Sequence, residues 1–167
     1  AWGSALATLA KANGNPVRVW SRQGELTLAE VVAEASIVLS AISMQGVRSV
    51  VEQMQAIPLR PDAILVTATK GLDPVTTHTP SHIWQTAFPA HSIAVLSGPN
   101  LSKEIQQGLP AATVVASTDE IAATTVQTAF FSNRLRVYTS PDPLGVELGG
   151  TLKNVIAIAV GTCDGLQ

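Results

Sequence analysis

Lys153 is the single cation in the stretch GVELGGTLKNVIAIAVG, residues 145–161. The half that follows it, 155–160, carries no polar side chain. A lysine in such a setting either snorkels outward along its stem or points into a polar cavity. Turned inward, its amine is driven toward the neutral form by desolvation. A neutral amine beside an alcohol can take its proton, and an ammonium can return it. The plain alternative is a helix with Lys153 on its wet edge, and spacing alone leaves both open. At this length a helix fits better than a strand, and Gly149-Gly150 lets another backbone approach closely. The same glycines, poor helix formers, predict a kink in the first turn.

The elements that must position such a lysine follow from the chain in order. Residues 1–13 read as a helix, with Leu6, Leu9 and Ala10 on one face and Gly14 closing it. Residues 17–20 alternate as a short strand. A helix over 27–34 starts at Thr27, with Glu30 three residues on to complete a capping box. A strand at 36–42, a helix at 46–55 and a strand at 63–68 come next. The helix within 76–87 starts near Ser81, because Pro80 belongs at a helix start. Then come a strand at 92–96, a helix at 101–107, a strand at 112–116, a helix at 119–130 and a strand at 135–138. Strand and helix alternate with short connections, which predicts an α/β fold with a mostly parallel sheet and helices on both faces. The one boundary signal is Ser140-Pro141-Asp142-Pro143. It divides residues 1–140 from 141–167, the start of a helical part.

In open α/β sheets, ligands bind outside the carboxyl ends of the strands. The residues just past those ends are therefore the candidates. Trp2 and Gly3 open the first helix, and Gly3 suits the third glycine of a dinucleotide loop, where helix packs close on strand. Arg22 follows the strand at 17–20, where an acid would grip ribose hydroxyls. An arginine suits a 2′-phosphate and favours NADP over NAD. Lys70, in Thr69-Lys70-Gly71, puts a cation where a phosphate or a polarised oxygen would lie. Gly98 lets backbone come near a ligand, Asn100 is a natural N-cap, and the N–H groups behind it, from Ser102 on, could hold an anion. Arg22, Lys70, Gly98 and Ser102 converge on one crevice, with Lys153 supplied by the next element.

Other groups carry less. His78 and His82 are spaced for a metal on a helix, but Pro80 lies between them and no third ligand is near. Cys163, without a second cysteine, reads as a small core residue and points weakly to a reducing compartment. The chain has 167 residues, 46% of them apolar, enough for a sizeable core. A net charge of -2 argues against nucleic acid as a partner. No apolar run comes near a membrane span. The chain opens without methionine and stops in mid-pattern, so both ends read as cuts in a longer protein.

The runs TATKGL, LSGPNLSKEIQQGLPAA and GVELGGTLKNVIAIAVGTCDG resemble the bacterial NAD(P)-dependent glycerol-3-phosphate dehydrogenases. AWGSALA is similar to the end of that family's glycine loop. The likeness covers nearly the whole chain, and the last two motifs are highly specific. It implies a Rossmann domain lacking its first strand, followed by the first helix of an all-α substrate domain. It also implies a cytoplasmic oxidoreductase that interconverts sn-glycerol 3-phosphate and dihydroxyacetone phosphate for phospholipid synthesis. NADPH is the favoured cofactor over NADH, and a homodimer is a candidate assembly. By resemblance, Lys153 matches the proton acceptor and Lys70 the lysine touching substrate and cofactor. Gly98, Asn100 and Asn154 fall to the substrate, and Trp2, Gly3, Arg22 and Ser102 to the cofactor. Residues 1–167 alone are expected to turn over little or nothing. A related hydroxyacid reductase and a non-catalytic NADPH sensor are the alternatives.

Overall fold

The computed structural model describes residues 2–166. The chain opens with α1 (Trp2–Ala12), closed by Gly14 at φ +82°, a left-handed turn suited to glycine. The short α2 (Leu28–Val32) carries the full capping box. The Glu30 N–H donates to Thr27 Oγ1, and the Thr27 N–H donates to Glu30 Oε2 at 2.7 Å. Then β1 (Ile37–Ser40), α3 (Met44–Gln55) and β2 (Ile64–Thr67) alternate. The helix α4 (Pro80–Ala87) begins at its proline, with Thr79 as N-cap. Pro80 has no N–H to leave unsatisfied there. Next come β3 (Ile93–Ser97), α5 (Ser102–Gln106) and β4 (Ala111–Ala116). Last are α6 (Glu120–Phe130), capped by Asp119, then β5 (Leu135–Ser140) and α7 (Pro143–Gly165).

The five strands form one sheet in the order β1-β2-β3-β4-β5. Every pairing is parallel except β3 with β4. Alternate residues of β2 feed two cores. Ile64 and Val66 join Leu6, Leu96, Val126 and Phe130 beneath α1 and α6. Leu65 joins Val47, Val50, Met54, Ile83 and Trp84 beneath α3 and α4. This is the period-2 logic of a sheet covered on both faces.

Three expectations are corrected. Residues 17–20 form no strand, because among the described residues no neighbour offers them a ladder. Between them and β1 runs an apolar groove of about 750 Å³, walled by Val17, Trp20, Leu39, Trp84 and Phe130. Cys163 is exposed rather than a core residue. The helix α7 runs unbroken and is long and apolar enough to cross a membrane by length and composition. Glu147 and Lys153 are its only charged residues before Asp164, and counting unbroken apolar runs missed that. From Asn154 onward every described residue of α7 is exposed.

Candidate functional site

The carboxyl ends of β2 and β3 lie side by side, and α7 packs against them through Gly150 and Thr151. After β2, Thr69 donates its hydroxyl to the Ile42 carbonyl at 3.0 Å, which ties the β2 end to the turn after β1. Lys70 then reaches over and donates from Nζ to the Gly98 carbonyl at 3.2 Å. Its side chain is exposed, yet the amine lies low enough in the crevice for burial to push its pKa down. The nearby Lys153 ammonium pushes the same way, as like charges do. The Lys153 charge thus reaches the end of β2 from α7. Lys153 itself is half-buried. It is not walled off from water by the described residues, because α7 leaves the sheet just beyond it.

Gly98 is required by space, not by backbone conformation. A Cβ there would lie 2.9 Å from the Ala112 carbonyl oxygen and 3.1 Å from the Thr113 Cα. It would also lie 2.8 Å from Asn100 Nδ2. Asn100 thus turns its amide toward Gly98, and that nitrogen is buried without a hydrogen-bond partner. It is not the N-cap of α5: that position is Leu101, with no side-chain cap bond. Ser102 is the first residue of α5.

Gly3 lies against the turn after β1. A Cβ on it would come within 3.3 Å of the Ala41 Cβ, so α1 packs close on the sheet there. Trp2 packs against the core beneath α1, with its Nε1 buried and unpartnered. Arg22 lays its guanidinium over Gly46 at the start of α3, where a Cβ would stand 2.9 Å from Nη2. Asn154 sits beside Lys153 with an exposed side chain. His78 and His82 place their ring centroids 4.2 Å apart, and among the described residues no metal-sized cluster forms around them.

The helix α7 is pinned by contacts that sequence reasoning did not single out. Glu147 is buried, and its carboxylate accepts from the Ser81 N–H at 2.9 Å and from the Ser81 hydroxyl. Gly150 meets the Ser97 hydroxyl at the end of β3. Thr151 Oγ1 accepts from the Gly71 N–H at 3.1 Å, one residue past Lys70. The signal was an acid standing alone among apolar residues, six positions before Lys153.

A family model described as the N-terminus of NAD-dependent glycerol-3-phosphate dehydrogenase matches residues 24–123. The model of the same enzyme's C-terminus matches residues 142–167. The chain belongs to this dehydrogenase family. The glycerol-3-phosphate dehydrogenase [NAD(P)+] of Nostoc sp. strain PCC 7120 is 68% identical over the whole chain, which covers 54% of that protein. That of Synechocystis sp. is 60% identical over 99% of the chain and 52% of its own length. The chain spans about half the length of the curated relatives it matches. A crystal structure of glycerol-3-phosphate dehydrogenase from Coxiella burnetii superposes with a TM-score of 0.88 at 26% identity. It is matched over 99% of this chain and 58% of that one. The mostly parallel sheet with helices on both faces is thus a doubly wound Rossmann fold that leads into a helical segment.

Proposed function

We propose that this chain carries the nucleotide-binding and proton-handling part of an enzyme that interconverts sn-glycerol 3-phosphate and dihydroxyacetone phosphate with NAD(P). The observation that carries the reading is Lys70 donating to the Gly98 carbonyl with the Lys153 charge near enough to bear on its amine. The family membership and the 68% identity to a relative of that name support it. The crevice suits a dinucleotide and a small phosphate ester. Gly98 offers its carbonyl to Lys70, and Asn100 Nδ2 beside it is buried without a partner. When bound, the nicotinamide supplies or receives the hydride. In this reading the Lys153 amine holds the proton of the C2 oxygen, taking it in oxidation and returning it in reduction. Lys70 sets positive charge beside the reacting oxygen and the phosphate, where charge develops. Gly98, Asn100 and Asn154 border the substrate. Trp2, Gly3 and Ser102 border the cofactor, and Arg22 meets a 2′-phosphate, which favours NADPH. The break near Ser140–Pro143 separates the nucleotide domain from a substrate domain begun by α7. The enzyme works in the cytoplasm and feeds glycerophospholipid synthesis.

The test is Lys153→Ala in the full-length enzyme, assayed for NADPH-dependent reduction of dihydroxyacetone phosphate. Turnover is expected to fall roughly 10²- to 10⁴-fold, the range for removing a general acid–base. Near-normal turnover at saturating cofactor and substrate would overturn the role given to Lys153.

A further inference from the structure

We propose that Glu147 is a positioning residue for the reaction, a clamp that fixes the roll and register of α7 and so aims Lys153 into the crevice. The inference rests on the role just given to Lys153. Three residues on one face of α7, spaced i, i+3 and i+4, hold three separate parts of the domain. Glu147 holds the start of α4, Gly150 the end of β3, and Thr151 the loop just after Lys70. Of these, Glu147 is the anchor. Pro80 has no N–H, so the Ser81 N–H is the first free donor of α4, and Glu147 takes it. A carboxylate there meets the positive end of the helix dipole. Its second oxygen takes the Ser81 hydroxyl, so both oxygens are bound at one point. Among the described residues no cation pairs with it, and its side chain is buried. A buried carboxylate satisfied only by these donors ties α7 firmly to α4.

The geometry turns that tie into aim. Sliding a helix by one residue moves a side chain by about 1.5 Å along the axis and about 100° around it. Lys153 lies six residues, under two turns, beyond Glu147. A small slip at Glu147 therefore carries the Lys153 amine away from Lys70. A misplacement of about 1 Å at reacting groups can cost roughly a hundredfold in rate.

The experiment compares Glu147→Ala, Glu147→Gln and Ser81→Ala with the parent in the full-length enzyme. Two things are read: turnover of dihydroxyacetone phosphate with NADPH, and the titration of the Lys70 amine by NMR of methyl-labelled lysines. Glu147→Ala is expected to lower kcat roughly a hundredfold while the KM for NADPH stays within about twofold. Lys70 should then titrate closer to an ordinary lysine, because the Lys153 charge has moved off. Glu147→Gln, which can still accept the Ser81 N–H, should recover most of kcat. Ser81→Ala, which keeps that N–H and loses the hydroxyl, should fall between. Unchanged kcat in Glu147→Ala, or a loss of kcat with the Lys70 titration unmoved, would overturn the clamp. Should Glu147→Ala not fold, parental kcat and Lys70 titration in Ser81→Ala would do the same. A parent enzyme inactive on dihydroxyacetone phosphate would instead refute the function. The Lys70 titration would then still decide whether Glu147 sets the position of Lys153.

Discussion

Gly98→Ala separates space from backbone freedom at the crevice. The new methyl would stand 2.9 Å from the Ala112 carbonyl oxygen and 3.1 Å from the Thr113 Cα. Asn100 Nδ2, at 2.8 Å, can swing aside, but the β4 backbone cannot. Strand β4 is held between β3 and β5, and Thr113 donates its buried hydroxyl to the Ser97 carbonyl at 2.9 Å. Relief must come from the 98–100 loop, and overpacking of this kind costs about 1–3 kcal/mol. At about 2–4 °C per kcal/mol for a protein of this size class or larger, Tm should fall by about 2–12 °C. The moved peptide also carries the carbonyl that receives Lys70 Nζ, so kcat/KM should drop even well below Tm. The control is Gly14→Ala, where a methyl meets open space and only the left-handed backbone, at φ +82°, objects. That costs about 1–2 kcal/mol and leaves activity alone. Thermal unfolding with steady-state kinetics on both variants decides. A Gly98→Ala enzyme with parental Tm and kcat/KM would mean that the loop yields freely and that the close contact constrains nothing.

Arg22→Ala should raise the KM for NADPH roughly ten- to hundredfold and leave that for NADH nearly unchanged, as expected for losing charge-assisted bonds to one phosphate. Steady-state kinetics with both cofactors reads this directly, and equal losses would remove Arg22 from the 2′-phosphate. Asp73 accepts from Arg48 and from the Val75 and Thr76 N–H groups, and the Arg48 contact first of all holds its pKa well below the usual carboxylate range. A depressed carboxylate gives stability above its unfolded value, about pH 4, and loses it as pH falls toward the folded one. Asp73→Asn should therefore unfold at a lower Tm at pH 7, with the gap to the parent narrowing below about pH 4. A gap independent of pH would refute the ion-pair account.

What the sequence discloses here is what depends on near neighbours. The Thr27–Glu30 box was legible because its two partners lie three residues apart. The contact of Lys70 with Gly98 was legible too, since both follow apolar strands that pair side by side in a parallel sheet. Residues 17–20 misled because alternation signals a strand's faces, while a strand exists only if another backbone pairs with it. Asn100 misled for a related reason: its amide has a tertiary neighbour in Gly98 that outweighs local capping. Glu147 stayed hidden because its value lies in a donor 66 residues away.

The trough beside β1 has a practical consequence. Among the described residues strand β1 is bonded on one side only, and the Val17–Trp20 segment faces it across an oily gap. Such an unsatisfied border recruits any passing β-segment, a second molecule of the same kind included. Handled as residues 1–167, the polypeptide will tend to stick to itself as its concentration rises.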